Sequence, residues 1–239
     1  IFFVISATDG DGQLLVFLVG GPGKRLTIFT PNWRRHVTVT AVGNLSKQGI
    51  TELFSESGEP SFDEQPLEEL LSLFPPGDYH FLGLTVNGKW LKGDAKLTND
   101  LPCPPVITSP EEPEDDASPP FTDFLISWKP VVSKLDSISI VEVDEEEVVQ
   151  YVCSGEATIV GYEVVYEIVK EEDDNERVFE FIVNVPQGVT QVTVPSEFAN
   201  LADDEENLLE AKIEVIAQEE SGNKTITERV LFEAEENEE

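Results

Sequence analysis

The chain has 239 residues, of which 15 are basic and 48 acidic, and its formal net charge at pH 7 is −33. This charge repels the phosphates of nucleic acids and of anionic membranes, so neither is an expected partner. With 40% hydrophobic residues and 14 phenylalanines, the chain can bury a core. No apolar run approaches the roughly 20 residues of a membrane-spanning helix. The length indicates one large domain or two ordinary ones.

The first hundred residues predict mainly β-strands. Residues 14–19 form a short apolar run, and the Gly-Gly-Pro-Gly segment at 20–23 is expected to end it as a turn. Residues 25–30 and 36–42 alternate apolar and polar side chains with the period of two that a half-buried strand requires. The Pro-Asn pair at 31–32 predicts a turn between them.

A hairpin and one helix complete this half. The Asn-Gly pair at 87–88 lies at the centre of a predicted hairpin at 79–98, because it accepts the positive φ angles of a type I′ turn. Apolar residues recur with helical spacing at about 66–73, behind a proline that suits a first turn. His36 and His80 fall in predicted strands and are interpreted as strand residues rather than ligands. We expect a small β-sandwich that carries one short helix.

The negative charge is concentrated in the second half. Residues 1–105 hold 8 basic and 12 acidic residues, whereas residues 106–239 hold 7 and 36, which gives net charges of −4 and −29. A proline-rich, charged stretch at 101–116 has the composition of an extended connection between domains. We therefore predict an N-terminal domain at 1–102, a second domain at 103–234 and an acidic tail at 235–239.

Residues 104–234 resemble a fibronectin type III domain. The segments Pro-Pro-Val-Ile at 104–107 and Leu-Ile-Ser-Trp-Lys-Pro at 125–130 match the first and second strands of that family. Residues 159–166 match the apolar-x-Gly-Tyr-x-Val-x-Tyr pattern of its third strand. Matches to the fifth strand, the sixth strand and the last turn lie at 189–194, 213–217 and 221–223. The resemblance implies an Ig-like sandwich, so the predicted fold class is all-β, with two tandem β-sandwich domains.

The same resemblance implies an inserted arm and a disulfide. The connection between the second and third strands is longer than is usual in the family, and its two apolar runs around a polar centre predict a β-hairpin at about 134–156. In this fold the arm lies beside the first domain, which brings Cys103 near Cys153. A disulfide is expected there, with two buried free thiols as the alternative. Ala211 stands where the family has its corner tyrosine, so that brace is expected to be absent.

The N-terminal half is similar, through its segments at 48–54 and 74–79, to uncharacterised bacterial secreted proteins that carry a type III module downstream. That resemblance implies export. The chain also begins without methionine, which fits removal of a signal peptide or a trimmed sequence. We expect a secreted, extracellular protein.

Catalytic motifs are missing from the sequence. It has no glycine-rich phosphate loop, no HExxH and no GxSxG motif, and two histidines with two cysteines barely supply a nucleophile and its base. With 48 acidic residues, any chosen carboxylate pair is uninformative. We therefore expect that the protein is not an enzyme.

Acidic runs at 171–174, 203–206 and 235–239 carry the leading functional hypothesis. Under the type III assignment they gather at the pole far from the first domain, where hard cations such as Ca²⁺ prefer carboxylate oxygens. The candidate metal ligands are Asp173, Asp174, Asp203 and Asp204. This pole could meet the basic N-terminal domain of a neighbouring copy and form a filament. The candidate interface residues are Lys24, Arg25, Arg34 and Arg35, together with Ile138, Ile140, Val149 and Tyr151 of the arm.

This first hypothesis is a secreted structural or adhesive subunit that self-assembles; scattered solvated charge is its alternative. A second is a monomeric module that binds carbohydrate or protein at a cell surface through exposed aromatics such as Trp33 and Trp90. Packing in the core is the expected role of these two tryptophans. Asn44 and Asn223 begin glycosylation sequons, which matter only if the source glycosylates exported proteins.

Overall fold

The computed structural model of the chain describes residues 1–111, 124–143, 146–172, 175–202 and 207–234. β-Strands dominate it, and the all-β fold class is confirmed. The strands of the first half are β1 (Phe2–Ser6), β2 (Asp11–Phe29), β3 (Arg35–Thr40), β4 (Ile50–Glu56), β5 (Gly77–Thr85) and β6 (Trp90–Leu97). Those of the second half are β7 (Val106–Ser109), β8 (Phe124–Lys129), β9 (Lys134–Val143), β10 (Glu146–Ser154), β11 (Ile159–Glu172), β12 (Asn175–Pro186), β13 (Gln191–Val194), β14 (Leu208–Glu219) and β15 (Lys224–Glu233). The helices are α1 (Leu45–Gln48), α2 (Leu67–Leu73) and α3 (Ser196–Ala199).

Strand β2 organises the first half. Its first part pairs with β1 and β4, and its second part pairs with β3 and β5, which β6 then extends. The predicted turn at 20–23 is wrong, because the chain passes through it as a strand, with a register shift between Val19 and Gly23. Glycines allow a strand to bend without leaving its sheet. The bend lets one strand take different partners on its two parts.

The hairpin at β5 and β6 and the helix α2 lie where they were predicted. The pairing runs from Gly77 opposite Leu97 to Leu84 opposite Trp90. Its turn is not type I′: Gly88 has a φ of 76°, and Thr85 donates its N–H to the carbonyl of Lys89. The connection is a three-residue loop with a left-handed glycine at its end, the other common hairpin solution.

The second half is a sandwich of two sheets. Strands β7, β8 and β13 form one sheet, and β12, β11, β14 and β15 lie side by side in the other. Trp128 from the first sheet and Tyr162 from the second meet in the core, with ring centroids 5.2 Å apart. Ala211 is fully buried at the position of the absent tyrosine. Strands β7, β8 and β13 lie at the positions predicted for the first, second and fifth strands. They pack against the sheet that contains β11 and β14, at the positions predicted for the third and sixth strands.

A continuous sheet joins the two halves. Strand β1 pairs in parallel with β15, with Val4 opposite Lys224 and Ser6 opposite Ile226. The fully buried side chain of Asn223 reinforces this junction: its Oδ1 accepts the N–H of Phe3 at 2.9 Å, and its Nδ2 donates to the carbonyls of Thr98 and Asp100, each at 3.0 Å. Ladder and side-chain bonds therefore cross the predicted domain boundary. The boundary near residue 103 stays a prediction.

The predicted arm is the hairpin β9–β10, and a disulfide joins Cys103 to Cys153 at its base, with the Cα atoms 5.9 Å apart. Leu135 and Ile138 of the arm are buried in the core of the first half. The arm is consequently part of the N-terminal core as well as an insertion in the C-terminal sequence. Within the described ranges, no helix is long and apolar enough to cross a membrane.

Candidate binding site: the aromatic face

The outward face of β2, β3, β5 and β6 carries the candidate site. Tyr79 and Phe81 of β5 are buried, so His80 between them points outward, since successive side chains of a strand alternate. Across the ladder, Asp94 of β6 lies opposite His80. We call this surface the aromatic face and define it by Trp33, His80, Trp90, Lys92 and Asp94.

Trp33 lies in the turn between β2 and β3. Its backbone φ is 60°, in the left-handed region, and its N–H donates to the carbonyl of Thr30 at 2.9 Å. Thr30 closes the turn by donating its own N–H to the carbonyl of Arg34 at 2.9 Å. A bulky residue rarely adopts this φ, and such strained positions cluster at ligand sites. The turn thus holds Trp33 in an unfavourable but defined position.

The side chain of His80 also holds the Trp33 ring in place. The indole stacks on the His80 ring with a centroid distance of 4.1 Å and an angle of 14° between planes. His80 Nδ1 contacts a carboxylate oxygen of Asp94, which orients the imidazole. Even so, 58% of Trp33 remains exposed. The indole therefore contacts His80 and Phe29 while more than half of the residue is open to solvent.

Trp90 provides a second exposed ring on the same face. It is 71% exposed and precedes Asp94 on β6 by four residues. At the rise of a β-strand, that spacing is roughly 13 Å. Arg25 lies two strands away in the same cross-strand row, because it pairs with Leu84, which pairs with Trp90. Two open aromatic surfaces with charged neighbours can pack against apolar C–H faces of a ligand and hydrogen-bond its polar groups.

The expected core role of Trp33 and Trp90 is therefore wrong. Size and hydrophobicity favour burial, but the turn and the edge strand carry these residues outward. The missed signal for Trp33 is its place after the predicted Pro-Asn turn and before two arginines. All four basic candidates of this half are exposed, and they are Lys24, Arg25, Arg34 and Arg35.

The structure separates the other predicted interface residues. Ile138 is 5% exposed and Val149 packs against the same N-terminal core, so both are internal contacts rather than a free surface. Ile140 packs against the backbone of Gly10 and is partly buried. Tyr151, in contrast, is exposed. Ile138 and Val149 therefore pack into the core of the first half, whereas Tyr151 stays at the surface.

Glycosylation at Asn223 is also a wrong expectation, because its Nδ2 is buried and already donates to two carbonyls. Asn44 is exposed, and its glycosylation stays a prediction. The metal candidates Asp173, Asp174, Asp203 and Asp204 lie outside the described residues. Of the residues that are described, no group of three His, Cys, Asp or Glu side chains could hold a metal ion.

Strand ends that flank the acidic runs do converge. Glu171 donates its N–H to the carbonyl of Asn207 at 2.9 Å, and Ala234 donates to Leu209 at 2.8 Å. The described neighbours of all three acidic runs thus meet at one end of the second sheet.

The outward side of that second sheet carries a separate charge network. Lys212 Nζ lies 3.1 Å from Glu228 and 3.6 Å from Glu167. Burial, followed by the charge of Glu228, raises the pKa of neighbouring Glu214 to about 7. Lys212 is thus shared among several glutamates, and the network holds more acidic than basic groups.

No family model matches the chain, and no curated protein matches it. Among solved structures, it is similar to trypsin-activated α2-macroglobulin from Escherichia coli, with 11% identity, 98% of this chain and 15% of that chain covered, and a TM-score of 0.27. It is also similar to a 1.5-MDa bacterial ice-binding adhesin, with 14% identity, coverage of 97% and 60%, and a TM-score of 0.26. A Ca²⁺-stabilised adhesin of an Antarctic bacterium shows 13% identity, coverage of 95% and 45%, and a TM-score of 0.21. The chain spans only part of each of these proteins.

Proposed function

We propose that this chain is a non-enzymatic adhesive module of a secreted protein, and that its aromatic face binds carbohydrate at a cell surface. The observation that carries the proposal is Trp33, which is exposed, held at a left-handed φ and stacked on His80. A side chain positioned at such a cost is expected to contact something outside the protein. An extended glycan suits two separated rings, because its sugars can pack on each.

Glycan-array screening followed by titration of the best-binding oligosaccharide tests this function. Trp33→Ala should weaken binding about tenfold or more, because aromatic anchors dominate such contacts. Tyr151→Ala removes an exposed aromatic ring from the arm and serves as the matched control. Equal affinities for wild type and Trp33→Ala would contradict the site, and failure to bind any glycan would contradict the ligand class.

We also propose that the second half is a type III-like sandwich. Its support is the strand order, with three strands opposing four, and the buried Trp128 between them. The proposal that the protein is not an enzyme rests on the lack of a catalytic motif in the sequence.

Self-assembly is a second candidate function. The convergence of strand ends at Glu171, Asn207 and Ala234 supports it, because their acidic neighbours would form one negative pole. The exposed Lys24, Arg25, Arg34 and Arg35 of another copy offer opposite charge. Light scattering in calcium and then in chelator tests the idea, including a role for Ca²⁺. A monomer under every salt and calcium condition would contradict self-assembly while leaving the glycan site unaffected.

A further inference from the structure

Three rows of residues order the aromatic face and run across β3, β2, β5 and β6. Residues directly opposite in neighbouring strands point to the same side of a sheet, so each row continues the outward side on which His80 lies. The first row holds Arg35, Phe29, His80 and Asp94, the second Thr38, Thr27, Leu82 and Lys92, and the third Thr40, Arg25, Leu84 and Trp90. Each row thus contains one arginine or lysine. The one acidic member, Asp94, already contacts the His80 imidazole.

The three cations of these rows, Arg25, Arg35 and Lys92, are exposed and take part in no ion pair among the described residues. This is unexpected in a chain with 48 acidic and only 15 basic residues. In the second half, by contrast, Lys212 Nζ lies 3.1 Å from a carboxylate oxygen of Glu228. The charges of the aromatic face are therefore free to pair with an anionic group from outside.

These cations lie beside and between the two exposed tryptophan rings. Lys92 follows Trp90 by two residues on the outward side of β6, about 7 Å nearer to the row on which Trp33 stacks. Arg35 belongs to that same row, and Arg25 belongs to the row of Trp90. A glycan that packs on both rings therefore passes over Lys92 and has a guanidinium group near each end.

We propose that the aromatic face selects an anionic glycan, whose charged groups pair with Lys92, Arg25 and Arg35 while its sugars pack on the two tryptophans. The ligand class rests on the proposed function, to which it adds the charge of the glycan. Charge-assisted hydrogen bonds from lysine and arginine are stronger than those between neutral groups. The acidic second half does not prevent this pairing, because exposed charges more than about 8 Å apart are largely screened at physiological ionic strength.

Single-stranded nucleic acid is the alternative ligand, because it is also anionic and stacks its bases on aromatic side chains. The density of charge disfavours it. Every nucleotide carries a phosphate, whereas each row of the face supplies one cation. The net charge of −33 also repels a ligand more strongly as the charge density of that ligand rises. A chain of sugars with sparse anionic groups fits both observations better.

The probes are neutral dextran, carboxymethyl dextran and dextran sulfate of equal length, the last two with an equal, low degree of substitution. Each is titrated by calorimetry into the full chain. The sugar backbone is the same in all three, so a difference in affinity reports the charged group alone. At least one charged dextran should bind about tenfold more tightly than neutral dextran, and its affinity should fall as salt is added. The tighter of the two charged dextrans identifies the anionic group as carboxylate or sulfate.

Two variants test the protein side. Lys92→Gln and Arg25→Gln each remove one free cation at an exposed position, so neither is expected to disturb the fold. Each should lower the ratio of the affinities for charged and neutral dextran about fivefold. Lys129→Gln is the matched control, because it changes the net charge by the same amount at an exposed position on β8, in the second half.

The proposal is overturned if no charged dextran binds, if all three dextrans bind equally, or if Lys92→Gln and Arg25→Gln lower the ratio no more than Lys129→Gln does. An oligothymidylate that binds at least as tightly as the charged dextrans would also overturn it. A neutral glycan that binds as tightly as its charged form and depends on Trp33 would contradict the charge selection alone. Conversely, binding of charged dextran that depends on Lys92 but survives Trp33→Ala would contradict the proposed glycan contact alone, so the two failures are distinguishable.

Discussion

At the scale of single residues, Trp33 holds a left-handed φ of 60° that a β-carbon disfavours. Glycine and alanine at this position both lose the stack on His80, but only glycine relieves the backbone. We therefore expect Trp33→Gly to be more stable than Trp33→Ala by about 1 kcal/mol. Urea denaturation of the two variants measures the difference. Equal stabilities, or a more stable alanine variant, would show that the turn is not strained at Trp33.

Asp11, at the start of β2, gives stability a dependence on pH. Burial, followed by the charges of Glu59 and Asp9, raises its pKa from 3.8 to about 6. The folded protein therefore binds this proton more tightly than the unfolded chain does. The stabilising contribution is full below about pH 4 and is lost as the pH rises through about 6.

Asp11→Asn should remove this dependence. At pH 7 we expect a gain of about 1 kcal/mol in the free energy of unfolding, allowing for solvent screening of a partly exposed group. Denaturation at pH 4 and pH 7 measures it, with the exposed Asp136→Asn as control. A gain of the same size at both pH values would assign the effect to packing rather than to charge.

At the scale of secondary-structure elements, the arm β9–β10 depends on the Cys103–Cys153 disulfide. The two cysteines are 50 residues apart, and closing a loop of that length stabilises by about 4 kcal/mol in the chain-entropy model. The double variant Cys103→Ser, Cys153→Ser should lose a large part of this stability. Its β9–β10 amides should also exchange faster than those of β11. Unchanged exchange in the arm would show that core packing alone holds it.

The positions of strands were predictable where apolar and polar side chains alternate clearly along the sequence. Residues 159–166 and 213–217 place apolar groups on one face, and the second sheet is built from them. The bend of β2 was not predictable, because Gly-Gly-Pro-Gly is equally typical of a turn. Only the partners on both sides of the strand decide between the two. The pairing of β1 with β15 involves residues more than 200 positions apart and has no local signal.

The candidate site was predictable only in part. The Tyr79-His80-Phe81 alternation indicates that His80 lies on the opposite face from its neighbours, but not which face is covered. The stack of Trp33 on His80 depends on how the turn after β2 folds over β5. Exposure is set by which elements pack above a sheet, and that information is spread over the whole chain.

At the scale of the whole molecule, the two halves share one continuous sheet, and the arm of the second half packs into the core of the first. The core of the first half includes Leu135 and Ile138 from the arm, and Asn223 bonds both halves at their junction. We expect a single cooperative thermal transition in calorimetry. Two separate transitions, each matching one half, would contradict this coupling.

Asn223→Ala tests the junction directly. It leaves the buried N–H of Phe3 without its partner, along with the carbonyls of Thr98 and Asp100. We expect a loss of about 2 kcal/mol in the free energy of unfolding. The exposed Asn184→Ala on β12 is the control. A loss no larger than that of the control would show that the β1–β15 ladder joins the halves without this side chain.

The parallel pairing of β1 with β15 also has a mechanical consequence. Tension between the Phe2 end of β1 and the Glu233 end of β15 would pull these strands along their axes in opposite directions. The ladder from Val4–Lys224 to Ser6–Ile226 would then carry the load in shear, with its bonds stressed together rather than opened one after another. Thr8 extends the load-bearing contact, because its Oγ1 accepts the N–H of Glu228 at 2.8 Å. Force applied through these two strand ends would therefore act on the junction between the halves in shear.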